Sequence, residues 1–330
     1  MTDVLPLLKK TEGYKEIRRE KLSATLSHAY LILSRDKDKL GEILKAFAKL
    51  IVCKSGNPCC DCRDCKLIDR GIHPDVITYP TADDGQKKSV IKTEDVTDLI
   101  EQSFVKPIEN DEKIFLLVGA QDMNVTAQNK LLKTLEEPPA NVRIIIGSSE
   151  EYPLLPTVKS RVKKIVVPPF SDKELFEAMK GDFTDEETLK QAITLGDGTL
   201  GTAERLYSDK NLLVAKQSLK DVILNMQSSK DVLRYSTGIN ALKTDTEEIL
   251  SILSLMFESM LKCSCDKRKV SDCAFPDLSG AKGYNRSSII YALDKITEAN
   301  RRYKFNANRQ ALIEWLFFQI LEGKYKWQKS

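Results

Sequence analysis

Five cysteines crowd into a short stretch of the chain, and the spacing of four of them predicts a metal centre. Cys59, Cys62 and Cys65 are each separated by two residues, and Cys53 lies six positions before Cys59. Four thiolates that converge on one ion complete the closed tetrahedral shell of a structural zinc site, which has no open position for a catalytic water. We therefore expect Cys53, Cys59, Cys62 and Cys65 to bind structural zinc.

Two nearby side chains leave the ligand set open. Cys60 is adjacent to Cys59, and adjacent cysteines rarely both reach one ion, so we expect Cys60 to be a free thiol. His73 is a conceivable substitute ligand, although the segment His73-Pro74-Asp75 reads as a turn that enters a strand. A cluster of reduced cysteines without metal is disfavoured, because clustered bare thiols are prone to oxidation.

The remaining cysteines and the N-terminal sequence help to predict the cellular compartment of the protein. Cys263, Cys265 and Cys273 lie in a helical half without an evident fourth ligand, so we expect free thiols there. The N-terminus becomes charged too soon for a secretory signal, and no apolar run reaches the roughly 20 residues that span a bilayer. We predict a cytoplasmic protein with reduced cysteines and no membrane segment.

Length and charge restrict the class of protein. A chain of 330 residues exceeds one ordinary core, so two or three domains are expected. The composition, 42% hydrophobic and 30% charged, is typical of a soluble globular protein. A net charge of +3 argues against a generally basic surface for nucleic acid, although it leaves room for a local basic patch.

Short apolar runs alternate with amphipathic segments in the first half of the chain. This alternation predicts a parallel α/β sheet whose strands are buried on both faces. The predicted strands are 29–34, 75–79, 113–119, 142–148 and 164–169, and the predicted helices are 40–52, 93–105 and 124–137. Within helix 93–105 we expect Val96, Leu99, Ile100 and Phe104 to face inward.

Helical periodicity alone follows residue 169. We predict an α/β domain over 1–168 with a zinc-binding insertion at 53–65, a small helical domain over 169–209 and a helical domain over 210–330. In the last domain, we predict that four basic residues lie on a solvated helix face: Arg301, Arg302, Lys304 and Arg309. We predict that five apolar residues form a core or intersubunit contact: Leu312, Ile313, Trp315, Leu316 and Phe317.

The turn after the first predicted strand lacks the residues of a phosphate loop. Such a loop needs glycines, a lysine for the phosphates and a hydroxyl for magnesium. The chain instead reads Ser34-Arg35-Asp36-Lys37-Asp38-Lys39-Leu40-Gly41, with Leu40 where the lysine is needed. The strand 113–119 likewise runs into Gly119-Ala120 rather than an acidic pair for magnesium. We therefore predict that this chain does not hydrolyse nucleotide.

Four segments between residues 25 and 170 carry a family resemblance. They are residues 27–31 at the first strand, the cysteine module followed by 73–75, the segment AQNKLLKTLEEPP at 127–139, and LPTVKSRV at 155–162. The last is similar to a Ser-Arg-Cys motif, with Val162 in the position of the cysteine. Together these segments resemble the delta-prime family of bacterial DNA polymerase III clamp-loader subunits, and the helical remainder does so only in outline.

The resemblance implies a AAA+ fold and a degenerate ATP site. The α/β domain would be followed by a lid domain and a helical collar. On alignment with ATP-hydrolysing members, the phosphate-loop lysine falls on Leu40 and the hydroxyl on Gly41. The magnesium-binding acidic pair falls on Gly119 and Ala120, and a nucleotide-sensing arginine falls on Gly201. The degenerate loop also includes Ser34, Lys37 and Lys39. We therefore expect no ATP to be bound in this site.

The resemblance also implies a role in a complex. Such subunits form a ring with gamma/tau and delta subunits, and the ring loads the sliding clamp onto primed DNA. Arg161 would be supplied in trans to a neighbour's ATP site, with Ser160 holding the local backbone. From spacing alone, Arg161 would instead be a surface arginine paired with a carboxylate.

Two alternatives remain. An active gamma/tau-type ATPase would need a phosphate loop elsewhere, and the sequence contains no G-x-x-x-x-G-K-[ST] segment. A zinc-ribbon protein that binds nucleic acid would show steeply salt-dependent affinity for DNA. The modest net charge and the acidic turn Glu136-Glu137 disfavour this second alternative.

Overall fold

The structure of the protein is a computed structural model that describes residues 2–81, 90–265, 278, 281 and 283–326. The chain divides into two compact units. The first comprises residues 1–182 and 199–201, and the second comprises residues 183–198 and 202–330. The three-domain division with boundaries after residues 168 and 209 stays a prediction.

The first unit contains a parallel five-stranded sheet. Its strands are β1 (Ala29–Ser34), β2 (Val76–Tyr79), β3 (Lys113–Val118), β4 (Val142–Ser148) and β5 (Lys163–Val167). In the order β2-β3-β4-β1-β5, Leu31 of β1 is in register with Ile146 of β4 and Lys164 of β5. The predicted parallel α/β sheet is confirmed. Because all strands run the same way, the turns after β1, β3 and β4 lie along one edge of the sheet.

Burial in this unit corrects two predictions. Strands β1, β3 and β4 are buried almost throughout, as parallel strands covered on both faces should be. Strand β5 lies at the sheet edge with Lys164 and Val166 exposed, so the prediction that it is buried on both faces is wrong. The predicted helix 93–105 ends at Ser103, and Phe104 beyond it is 75% exposed rather than inward-facing.

Helices surround the sheet, and local sequence sets several of their ends. They are α1 (Leu5–Leu8), α2 (Glu12–Leu22), α3 (Leu40–Val52), α4 (Arg63–Arg70), α5 (Thr93–Ser103), α6 (Val125–Glu136), α7 (Pro156–Lys159) and α8 (Asp172–Met179). The Asn124 side chain caps α6 by accepting the N–H of Ala127. Ser171 and Glu174 form a capping box at the start of α8.

Among the described residues beyond β5, every regular element is a helix. After α8 these are α9 (Glu186–Leu195), α10 (Leu200–Ser208), α11 (Lys210–Asn225), α12 (Ser229–Asn240), α13 (Thr246–Cys265), α14 (Arg286–Lys304) and α15 (Arg309–Lys326). In α15, Leu316 and Phe317 are fully buried in the helical core, which agrees with the predicted apolar face. Arg309 donates to the carbonyls of Ile239 and Leu242, at 3.3 and 3.1 Å, so it supports the end of α12 rather than a solvated face.

The structure also bears on the cysteines of the second half and on membrane insertion. Cys263 is buried and disulfide-bonded, so the prediction of a free thiol at this position is wrong. Cys273 and the side chain of Cys265 lie outside the described residues.

In the part of the chain that the structure describes, no helix combines the length and apolar character required to cross a bilayer.

The buried carboxylate of Asp75 anchors the loop before β3. It accepts the backbone N–H groups of Ile108 at 2.7 Å, Glu109 at 2.7 Å and Asn110 at 2.9 Å. Asp75 is fully buried, and its own carbonyl accepts the N–H of Ile114 in β3 at 2.8 Å. The carboxylate therefore satisfies three backbone donors that would otherwise lack a partner. This explains the acidic residue of the His73-Pro74-Asp75 turn.

We expect Asp75→Asn to lower the free energy of unfolding by about 1–3 kcal/mol, because the amide presents an N–H₂ group to backbone N–H donors and leaves one of them unsatisfied. Urea denaturation of the purified chain measures the effect. Asp111→Asn, a change at an exposed carboxylate of the same loop, serves as the control and should stay within about 0.5 kcal/mol of the native chain. Equal stability of the two variants would contradict the assignment.

Candidate functional site

The sulfur atoms of Cys53, Cys59, Cys62 and Cys65 converge. All four lie within 4.8 Å of one another, and those of Cys53 and Cys59 are 3.6 Å apart. Sulfurs at the corners of a tetrahedron with Zn–S bonds of about 2.3 Å are separated by about 3.8 Å, so the arrangement fits one ion. Cys60, whose backbone has a φ of +58°, is not one of the four.

The end of α3 positions Cys53. The ammonium of Lys21 donates to the carbonyl oxygen of Leu50 at 2.8 Å and also to that of Cys53. A cation at this place satisfies carbonyls that have no partner within the helix. Cys53 is 1% exposed, so its sulfur approaches the cluster from the protein interior.

The start of α4 positions the other sulfurs through backbone hydrogen bonds. The N–H of Cys62 donates to Sγ of Cys59 at 3.3 Å, and the N–H of Cys65 donates to Sγ of Cys62 at 3.4 Å. The second bond is also the N-cap of α4, so the cysteine spacing and the helix start depend on each other. Hydrogen bonds of this kind favour the thiolate form, which is the form that binds metal.

The thiols have different acidities. Burial opposes ionisation of Cys53, but hydrogen bonds led by those from Ser55 outweigh it and lower the pKa of Cys53 to about 6. Backbone N–H groups, first that of Asp61, lower the pKa of Cys59, whereas burial raises the pKa of Cys65. A bound cation would hold all four as thiolates, because metal binding is coupled to loss of their protons.

His73 belongs to a different cluster. Ligand atoms of Asp64, His73 and Glu109 lie within 4.8 Å of one another. The Nδ1 atom of His73 accepts the N–H of Asp75 at 3.0 Å, so the lone pair of this nitrogen is already engaged within the chain. His73 is 3% exposed, and its Nε2 lies 3.1 Å from the side-chain amide of Asn110. This arrangement gives His73 a structural role and disfavours it as a zinc ligand.

Side chains in the turn between β1 and α3 are engaged within the chain. Leu40, which we predicted at the position of the phosphate-loop lysine, is 2% exposed and belongs to the core. The ammonium of Lys39 is buried and lies 3.1 Å from a carboxylate oxygen of Glu42. Lys37 lies 3.6 Å from Glu150 on the surface. The buried ammonium of Lys39 is thus paired with a carboxylate in the first turn of α3.

Asp36 connects this turn with the start of α10. Its carboxylate accepts the N–H of Lys39 at 3.1 Å and the N–H of Gly201 at 2.9 Å. The N–H of Asp36 in turn donates to Oγ of Ser34 at 3.3 Å. Asp36 is 3% exposed, and burial raises the pKa of its carboxyl group against the opposing effect of the N–H groups. Gly201 therefore lies directly against the turn.

The end of β3 has no carboxylate pair. Gly119 has a φ of +86°, and its N–H donates to the carbonyl of Gly147 at 3.1 Å. Ala120 is fully buried at the start of a short 3₁₀ turn, Ala120–Asp122. The side-chain oxygen of Gln121 accepts a hydrogen bond from Oγ of Ser148 at 3.2 Å. The Gln121 amide, which also donates to the carboxylate of Asp122 at 2.8 Å, therefore lies beside Gly119 and Ala120, the residues predicted in place of the acidic pair.

Arg161 lies two residues after the end of α7 and makes three hydrogen-bonding contacts. Its Nη1 donates to the carbonyl of Thr157 at 2.9 Å and to Oγ of Ser160 at 3.1 Å, and its Nη2 lies 2.6 Å from Glu136. The Arg161 side chain is 34% exposed. The hydroxyl of Ser160 donates to the carbonyl of Thr157 at 3.1 Å, so Ser160 lies between the helix and the guanidinium. The carboxylate partner expected of a surface arginine is present.

Gln128 connects α6 with the segment that leads to α7. Its Nε2 donates to the carbonyls of Met123 at 3.1 Å and Pro153 at 3.2 Å, and its Oε1 accepts the N–H of Leu155 at 2.8 Å. Gln128 is 2% exposed, and a buried amide bonded in this way holds the backbone that it contacts. Because α7 begins at Pro156, Gln128 helps to position the helix that precedes Arg161.

Sequence reasoning did not identify Asp36, Gln128 or Glu136 as residues of the site. Gln128 and Glu136 lie in the segment 127–139 that carries the strongest resemblance, and a polar residue amid apolar helix positions was a usable signal. Asp36 precedes Lys39 by three residues, which is the spacing of a side chain that caps a helix. Its bond to Gly201 has no sequence signal.

Several known proteins similar to this chain are DNA polymerase III subunits. Residues 9–171 match the model of the family described as DNA polymerase III, delta subunit. DNA polymerase III subunit delta-prime of Bacillus subtilis is 26% identical over 327 residues, which is 94% of each chain. Subunit delta-prime of Pseudomonas aeruginosa is 30% identical over 186 residues, 55% of this chain and 56% of its own length.

A gamma subunit is also similar. DNA polymerase III subunit gamma of Buchnera aphidicola is 27% identical over 254 residues, 68% of each chain. The similarity to delta-prime of Bacillus subtilis extends over nearly the whole length of both proteins, through the segments that hold the cysteines and Arg161. The chain is similar to the DNA polymerase III delta-prime family of clamp-loader subunits over most of its length.

Proposed function

We propose that this clamp-loader subunit does not hydrolyse ATP itself and instead supports hydrolysis in a neighbouring subunit. Its α/β domain would be a AAA+ module, followed by a lid and a helical collar. In the cytoplasm it would join gamma/tau and delta subunits in a ring that loads the sliding clamp onto primed DNA. It would then be a non-catalytic component of the DNA polymerase III holoenzyme.

The turn between β1 and α3 is the observation that carries this proposal. A nucleotide-hydrolysing member needs a lysine at the position of Leu40, and a lysine there would have to occupy a buried core position. The carboxylates of Asp36 and Asp38 would repel a phosphate, and Lys39 is directed to Glu42. These features also favour a delta-prime role over an active gamma role, despite the similarity to a gamma subunit.

The contacts of Arg161 are compatible with a role in trans. Its pair with Glu136 is partly exposed on both sides, and exposed ion pairs contribute only about 0.2–1 kcal/mol. A phosphoryl group that develops negative charge competes easily with so weak a partner. Thr157 and Ser160 hold Nη1 at the same time, which limits the orientations of the guanidinium. An arginine supplied by a neighbour increases phosphoryl transfer by about 10³-fold or more.

For the cysteine cluster we propose structural zinc. Four sulfurs in a closed set leave no open position for a substrate or water. The cluster lies between the end of α3 and the start of α4, so the ion would stabilise an insertion of the α/β domain. In this proposal the metal contributes to folding and assembly rather than to hydrolysis.

The isolated chain should not bind MgATP. Because the turn after β1 lacks the phosphate-binding groups, isothermal titration calorimetry should detect no binding at about 1 mM nucleotide, the upper end of common affinities. A gamma subunit measured in parallel provides the positive control. Saturable binding by the isolated chain would favour the gamma/tau alternative.

We expect Arg161→Ala to leave folding and ring assembly intact and to lower ATP hydrolysis at the adjoining site by a factor on the order of 10³. Arg161→Lys should also be impaired, because an ammonium lacks the planar fork of the guanidinium. The measurement is the DNA-stimulated ATPase of the reconstituted complex. Arg19→Ala, which removes an exposed arginine on α2, is the control and should leave the rate unchanged. An ATPase rate of the Arg161→Ala complex equal to that of the native complex would contradict the role of Arg161 in trans.

Zinc content gives a direct test of the cluster. The native chain and Cys60→Ser should contain one zinc per chain after dialysis against a chelator, because Cys60 is not part of the converging set. Cys62→Ser should lose the zinc and have a lower Tm, since three sulfurs leave the shell incomplete. Elemental analysis and thermal denaturation measure both effects. Full zinc retention by Cys62→Ser, or its loss from Cys60→Ser, would show that the ligand set is wrong.

A further inference from the structure

The Asp36 carboxylate lies at the N-termini of two helices. It accepts one N–H from Lys39, which precedes α3, and one from Gly201, the second residue of α10. Free N–H groups at a helix start carry partial positive charge and attract anions. In nucleotide-binding loops they bind phosphate. Here the carboxylate of Asp36 occupies the position at which such a loop would bind phosphate.

The approach of α10 to the turn is so close that it requires a glycine. A Cβ atom on Gly201 would lie 2.5 Å from Oδ1 of Asp36, 2.6 Å from Cβ of Asp38 and 3.1 Å from Cγ of Lys39. Contacts under 3.0 Å demand a shift of the neighbouring atoms, and Cβ of Asp38 is attached directly to the backbone. Any larger side chain at this position would displace residues 199–201 from the turn.

We propose that Asp36 is a built-in anion that closes the former phosphate site from within and holds residues 199–201 on the turn after β1. This inference rests on the proposed function, because it treats that turn as a degenerate phosphate loop. Lys39 adds to the closure, since its buried ammonium is paired with Glu42. The site is thus filled by contacts of the chain, in addition to lacking the residues that bind phosphate.

Amide hydrogen exchange on the full-length isolated chain measures directly whether Asp36 holds residues 199–201 on the turn. The N–H of Gly201 is protected in the native chain by its bond to Asp36. We expect Asp36→Ala to increase exchange in peptides that cover residues 199–204 by at least about tenfold, with α6 unchanged as an internal reference. Asp111→Asn, the exposed-carboxylate control, should leave the same peptides protected. Addition of MgATP at about 1 mM should not alter exchange in the native chain.

A pair of glycine substitutions provides a second test that does not depend on the folding of Asp36→Ala. Gly201→Ala should lower the Tm by several degrees and increase exchange at 199–204, because its Cβ meets the turn. Gly181→Ala is the matched control in the same unit, since nothing lies within 4 Å of its added Cβ. Unchanged exchange in Asp36→Ala, or equal Tm values for the two glycine variants, would overturn the proposal that Asp36 holds residues 199–201 on the turn. ATP binding by the native chain would overturn the proposed function as well, so the two failures are distinguishable.

Discussion

The hydrogen-bonded ladder that places β1 between β4 and β5 determines where the turn after β1 and the neighbouring strand ends lie. With β1 in this position, the turn that contains Asp36, the glycine after β3 and the end of β4 share one sheet edge. The segment from β4 to β5 carries α7 and Arg161, so the same ladder also places the arginine relative to that edge. The ladder depends on the burial of β1, β3 and β4, where unpaired backbone groups would be costly.

Much of this architecture could be predicted because its signals are local. Five short apolar runs separated by amphipathic segments indicate a parallel sheet, since each strand and each helix has its own periodicity. The cysteine cluster was equally accessible, because its ligands span only residues 53–65 and one helix start brings three of them together. Sequence spacing also separated Cys60 from the other four. For the cysteines, the decisive contacts join residues that are close together in the chain.

Predictions that depend on distant contacts were less successful. Nothing in the turn after β1 indicates that Asp36 bonds to Gly201, which lies 165 residues away. The exposure of β5 follows from its place at the sheet edge, and strand order has no simple sequence signal. Phe104 was placed inward by helical periodicity, but the helix ends one residue earlier. Similarly, the partner of Arg161 is Glu136, from the end of another helix.

The environment of Gly201 and Leu40 has a consequence for the history of such a subunit. A return to nucleotide hydrolysis would require a lysine at a core position that is 2% exposed, and burying an ammonium there costs several kcal/mol. It would also require an arginine at a position where even a methyl group collides with the turn. Natural proteins have only about 5–15 kcal/mol of stability, so a cost of several kcal/mol is a large fraction of it. Under the proposed function, the packing around Leu40 and Gly201 would therefore oppose a stepwise return of ATP hydrolysis.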